Sequence, residues 1–187
     1  YMAHKPVPVL HLPDIHPLID SEYTPYDVGV MGELDVRILT ELFGGKSVSE
    51  ALTPAWDGGL YYAAQRRSAT EQEKGSTASL ALLYYSQWKS EDAARAFLRV
   101  YTRELPRKYS RIEHRSKDEQ GADEQVYSTN EGDVLLSVSG KDVFVSEGFE
   151  LPLARKLRDA IQNAQGTGPL QVASVRLHEP SLSLAQM

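Results

Sequence analysis

The sequence predicts an α+β domain: an antiparallel sheet of about five strands, built from two hairpin–helix units and covered by helices. Three observations carry this. Two strand-like runs, "LYYAAQR" (60–66) and "ASLALLYYSQW" (78–88), flank a polar segment and lead into a helical stripe. The same order returns downstream, where runs at 125–129, 133–139 and 142–147 precede a second helical pattern. No repeat of fixed period underlies this echo, so the chain does not read as a solenoid.

Residues 1–27 carry prolines at 6, 8, 13, 17 and 25 and histidines at 4, 11 and 16. Proline removes a backbone donor and disfavours helix in the residue before it. The segment is expected to be an extended N-terminal arm or linker, without regular helix over 1–20. Val7, Val9, Leu10 and Leu12 are too apolar for a free tail, so "VPVLHL" should pack on the domain.

A single domain is expected over 28–166. Met31, Leu34, Ile38 and Leu42 sit at helical spacing, and Val30, Leu39 and Phe43 widen the stripe. Gly44 and Gly45 should end that helix. Ser47 with Glu50 is a capping-box pattern for a short second helix to about Leu52, which Pro54 stops. A hairpin centred near Glu73 would set Tyr61 opposite Tyr85 and Tyr62 opposite Tyr84.

Ser90, with Glu91 and Asp92, starts the next helix, whose apolar stripe is Ala94, Phe97, Leu98, Tyr101 and Leu105. Pro106 should end or bend it. Polar sequence fills 107–124. The turns "NEGD" and "GK" separate the later strands, and Pro152 suits the first turn of a last helix with Leu153, Leu157 and Ile161 on one face. The segment 167–187 lacks a period and reads as a C-terminal tail.

The chain has 187 residues, 41% hydrophobic and 25% charged, enough for one real core. A net charge of -6 argues against a general nucleic-acid binder. The absence of cysteine excludes disulfides and thiolate zinc sites. No apolar run is long enough for a membrane span.

The candidate chemistry has simple structural readings. "GGKS" (44–47) lacks the first glycine of a phosphate loop, since Thr40 stands there, and it follows a helix where the motif needs a strand. His11 and His16, with Asp14 between them, lie in the arm, where nothing holds them in zinc geometry. No metal and no cofactor is expected. The basic stretch 103–117 reads as a helix end and a charged loop.

The stretch "TPAWDGGLYYAAQRR" (53–67) is the strongest ligand candidate. Trp56, Tyr61, Tyr62, Tyr84 and Tyr85 could floor a pocket for a glycan or small molecule, with Asp57 as the acid. A glycosidase needs a second carboxylate facing the cleft, and none is evident. The structural alternative is a helix-to-strand joint in which Trp56 meets Trp88 as an aromatic cap on the sheet.

"GELDVRILTELFGG", "AWDGGLYYAAQ" and "LLYYSQWKSEDAARAFLRVY" follow one another over roughly residues 1–105. This order resembles the C-terminal module of bacterial zincin-like metallopeptidase proteins. The matches are Gly32, Glu33, Arg37, Leu39, Trp56, Gly58, Gly59, Tyr61, Trp88, Glu91, Ala93, Ala94 and Phe97. Ala55 and Leu60 stand where that family often carries Gly and Arg. The resemblance implies a zinc-binding, protease-like domain upstream in the same polypeptide, and an exported protein. Its H-E-x-x-H helix is absent from these residues. The expected function is therefore a non-catalytic accessory or interaction module.

Overall fold

The computed structural model describes residues 10–165. Along them run α1 (His16–Ile19), β1 (Tyr23–Val30), α2 (Glu33–Gly44), α3 (Lys46–Leu52), β2 (Trp56–Arg66), α4 (Glu71–Lys74) and β3 (Leu80–Trp88). Then come α5 (Glu91–Lys108), β4 (Ile112–His114), β5 (Glu124–Thr129), β6 (Gly132–Ser139), β7 (Asp142–Glu147) and α6 (Leu151–Ala164). All seven strands form one antiparallel sheet in the order β1-β2-β3-β7-β6-β5-β4.

The α+β class and the antiparallel sheet are as expected, but the strand count is seven, not five. The two unforeseen strands, β1 and β4, are the two edges. β1 begins inside the expected arm and carries Pro25, Asp27 and a register shift between Pro25 and Asp27. β4 is only three residues long. Edge strands lack a second neighbour and a fully buried face, so neither shows the alternation that marks a strand in sequence. The arm also holds one helical turn, α1, with Pro17 at its start. Proline suits a first helical turn, which is why it did not keep 16–19 extended.

Period-two alternation splits the sheet side chains between two cores. Tyr84, Trp88, Val134, Leu136, Val143 and Val145 face α2, α3 and α5. Leu83, Tyr85, Leu135 and Phe144 face α1 and α6. The helix after β3 thus covers one face and the helix after β7 covers the other, so the echo in sequence is one of order and not of symmetry.

The helices follow the expected local chemistry with two exceptions, one at an end and one on a face. Ser90 caps α5, its hydroxyl accepting from the Ala93 amide at 3.2 Å. The helix runs past Pro106 to Lys108. The Ser47 capping box is not used: Gly45, at φ 82, precedes α3, and Ser47 lies inside it. A glycine that can take positive φ turns the chain at once from α2 into α3, leaving no room for an extended cap residue.

The second exception is the face of α2. Val36 and Thr40 are buried, whereas Leu34, Ile38 and Leu42 are 67%, 50% and 69% exposed. The helix turns its flank, Leu39 and Phe43, toward α5. Thr40 satisfies its hydroxyl on the Val36 carbonyl at 2.7 Å, so a polar residue sits at no cost where the stripe predicted leucine.

Candidate functional site

The 53–67 stretch is a joint. Thr53–Ala55 makes a single 3-10 turn, and β2 starts at Trp56. The register with β3 shifts between Trp56 and Gly58, so Asp57 is an extra residue in the ladder. That bulge turns Trp56 to the face opposite Leu60, where it pairs with Trp88. Both indoles are buried, at 7% and 1% exposure, as the joint reading expects. Gly59 is closely packed here: a Cβ would lie 3.2 Å from the Tyr84 hydroxyl and 3.3 Å from Trp56 Nε1.

The expected hairpin register is off by one residue. Tyr61 faces Tyr84, while Tyr85 faces Leu60 and Tyr62 faces Leu83. The connection, which holds the four-residue α4, sets the turn centre between Gln72 and Glu73 instead of at Glu73, and that half-residue offset shifts every pair by one. One cross-strand tyrosine pair results instead of two.

The candidate residues do not converge on a cleft. Tyr62, Tyr84 and Tyr85 are buried, in two different cores. Burial pushes the Tyr84 phenol up to about 12 and raises Tyr62 and Tyr85 as well, so all three stay protonated. Tyr61 lies across Gly29 of β1, where a Cβ would come within 2.8 Å of its ring, and it donates to Asp27 at 2.9 Å. That bond raises its phenol above the ordinary value. Asp57 is half-buried at the bulge.

The histidines are engaged locally. His16 lies 3.2 Å from Asp20, and its amide donates to Asp14. His114 stacks on Tyr127 and contacts Glu119 at 2.6 Å. Among the described residues no group of three or more His, Cys, Asp or Glu is placed to hold a metal ion. His4 and His178 lie outside the described residues.

Two buried carboxylates were not foreseen. Glu147, at the end of β7, accepts from Tyr101, Tyr109 and Lys108 Nζ, the last at 2.5 Å. Burial first, then the Glu147 charge, raises both phenols, so they act as donors. The carboxylate takes three donors and serves to tie the end of α5 to the sheet. Glu124 is held by Arg155 and Arg158, each at 2.5 Å. A signal for Glu147 existed in the alternation Val143, Val145, Glu147, which puts all three on one buried face. The basic stretch 103–117 is largely absorbed this way, since Arg107 pairs with Glu104 and Arg115 with Asp118 and Asp133.

Three surface features are left. A cleft of about 620 Å³ opens at one end of the sheet, lined by Arg66, Arg67, Glu22, Asp133 and Glu150 among others. Its charges are of both signs, and Asp133 is already bonded to Arg115 and to the Leu151 amide. The second feature is the seat of the N-terminal arm. Ile15 and Ile19 are buried, and Leu10 and Leu12 pack beside them on the α6 face. Gln165, just past α6, clamps the arm backbone: it accepts from the His11 amide at 3.0 Å and donates to the His11 carbonyl at 2.6 Å. Val7 and Val9 lie outside the described residues.

The third is the exposed row Leu34, Ile38 and Leu42. It continues into a groove of about 400 Å³ between α2 and the end of α5, floored by Phe43, Tyr101 and Leu105 and rimmed by Arg107 and Lys108.

Among the described residues no helix is long and apolar enough to cross a membrane. No curated protein matches the chain. Among solved structures, the extracellular domain of PknH from Mycobacterium tuberculosis is similar at a TM-score of 0.42 and 11% identity, over 86% of this chain and 97% of that one. Residues 24–158 match the domain of unknown function DUF8575, and the chain belongs to that family.

Proposed function

We propose that this chain is a non-catalytic accessory module that orients a neighbouring domain joined to its N-terminal arm. The observation that carries this reading is the seat of the arm. Four apolar side chains anchor residues 10–19 on the α6 face, and Gln165 holds the His11 backbone at both its amide and its carbonyl. Burying such side chains stabilises by roughly 1.5–3 kcal/mol each at most, which offsets the ordering of a short arm when several pack together. An arm held in this way transmits a fixed direction to what precedes it.

The neighbour is supplied by the resemblance to zincin-like metallopeptidase proteins: a zinc-binding domain upstream in the same, extracytoplasmic polypeptide. The coding sequence ahead of Tyr1 tests this first. An H-E-x-x-H helix there supports the neighbour, and another kind of domain removes it. With the neighbour present, small-angle scattering should give one narrow interdomain distance distribution. The double variant Leu12→Asp, Gln165→Ala should broaden it. An unchanged distribution would mean that the arm's seat does not set the orientation.

A further inference from the structure

We propose that the exposed face of α2 is the interface between two copies of this chain, packed as an antiparallel helix pair about a two-fold axis at Ile38. Leu34, Ile38 and Leu42 are spaced by four and so stand in one row, opposite the buried Val36 and Thr40. Each is at least half exposed. Adjoining the groove beside Leu42, they make one continuous apolar surface of the kind that marks an interaction site.

The occupant is argued from self-complementarity. An isologous contact requires a surface that matches its own image under the two-fold axis. Reversed about Ile38, the row reads the same, and Leu34 of one copy meets Leu42 of the other. The charges obey the same operation. Arg37 and Glu41 lie on one flank of the row, and reversal brings Arg37 of each copy within about 3 Å, along the helix axis, of the other's Glu41. Among the described residues, neither has an ion-pair partner within the chain. On the other flank, Asp35 of one copy approaches the groove rim at Arg107 of the other.

The size also fits. The three aliphatic side chains expose roughly 300 Å² per copy, enough for the apolar centre of a standard interface of roughly 800 Å² per partner. The competing route to a dimer, pairing of two β1 edges, is blocked by the chain itself. Pro25, the register shift after it and the Asp27 side chain, which takes the Val28 amide at 2.9 Å, break up the free edge.

The test is sedimentation velocity of the 187-residue chain from about 1 to 200 μM, which spans micromolar dissociation constants. A reversible dimer is expected. Ile38→Glu, at a position the core does not use, should weaken it by about tenfold or more with an unchanged circular dichroism spectrum. Arg37→Glu and Glu41→Arg should each weaken it about three- to tenfold. The double variant Arg37→Glu, Glu41→Arg should recover most of the affinity, because the swapped pair is complementary again. A chain that stays monomeric at the top concentration overturns the proposal, as does a dimer indifferent to Ile38→Glu. Either result leaves the arm's seat, on the other face of the sheet, unaffected.

Discussion

Trp88 packs its ring 4.8 Å from that of Phe97, and its indole N–H donates to the Ser86 hydroxyl at 3.0 Å. It is almost wholly buried and faces Trp56 across the hairpin. Trp88→Ala should therefore lower stability by about 3–5 kcal/mol, the range for a core aromatic. Equilibrium denaturation in urea measures it, and a loss under about 1 kcal/mol would deny the residue a core role. Glu124 behaves differently because it is charged. Burial alone would raise its carboxyl, but the bonds from Arg155, Gln120 and Arg158 outweigh burial and hold it below the ordinary 4.5. A carboxylate depressed on folding contributes stability above its unfolded pKa and loses it as pH falls through the folded value. Glu124→Gln should cost about 1–3 kcal/mol at neutral pH, since it removes the charge shared by two part-buried guanidinium groups, each of which keeps one other acceptor. The gap to the parent protein should narrow as pH drops below about 4.5. A gap unchanged at acid pH would show that packing, not charge, is what the substitution removes.

At the scale of elements, the arm and the hairpin each depend on one local device. Gln165 imitates a strand partner for His11, accepting and donating as a neighbouring backbone would. Gln165→Ala should speed hydrogen exchange at the His11 amide about three- to tenfold, the equivalent of one lost hydrogen bond. Exchange already at the unprotected rate in the parent protein would mean the arm is not seated in solution. In the hairpin, the bulge at Asp57 decides which face the first tryptophan takes. A one-residue register shift moves a side chain to the other face, so the inserted Asp57 puts Trp56 on the face opposite Leu60 although simple alternation would put them together. The spacing of the tyrosines carried no trace of it.

For the whole molecule, β3 and β7 are the only strands that join the N-terminal and C-terminal halves of the described sheet. Both cores nevertheless draw on both halves: α5 covers Val134, Leu136 and Val145, and α6 shares its cluster with Leu60, Tyr62 and Leu83. Neither half can keep its apolar surface from water alone. Unfolding should accordingly be a single transition, with calorimetric and van't Hoff enthalpies that agree. Two resolved transitions would show that the halves are separate cooperative units.

The sequence by itself determined what depends on near neighbours along the chain. Five strands, the helices α2, α3, α5 and α6 and the burial of Trp56 and Trp88 follow from alternation, helical spacing and the prolines, glycines and caps that punctuate them, whereas α4 lies in what reads as a polar loop. Those signals act over a few residues, so a few residues reveal them. Only the tertiary structure decided the rest. The edge strands β1 and β4 exist because β2 and β5 offer them a ladder. The register of the tyrosines depends on the conformation of the connection between β2 and β3, and the Glu147 and Glu124 clusters join residues from distant elements. The face of α2 is the sharpest case. Its strongest apolar row points to solvent because Gly45 turns the chain directly into α3 and the shared seat with α5 takes the Val36, Leu39 and Phe43 side instead. A stripe states that a helix has something to bury; which of its faces is covered is set by the packing of the whole molecule.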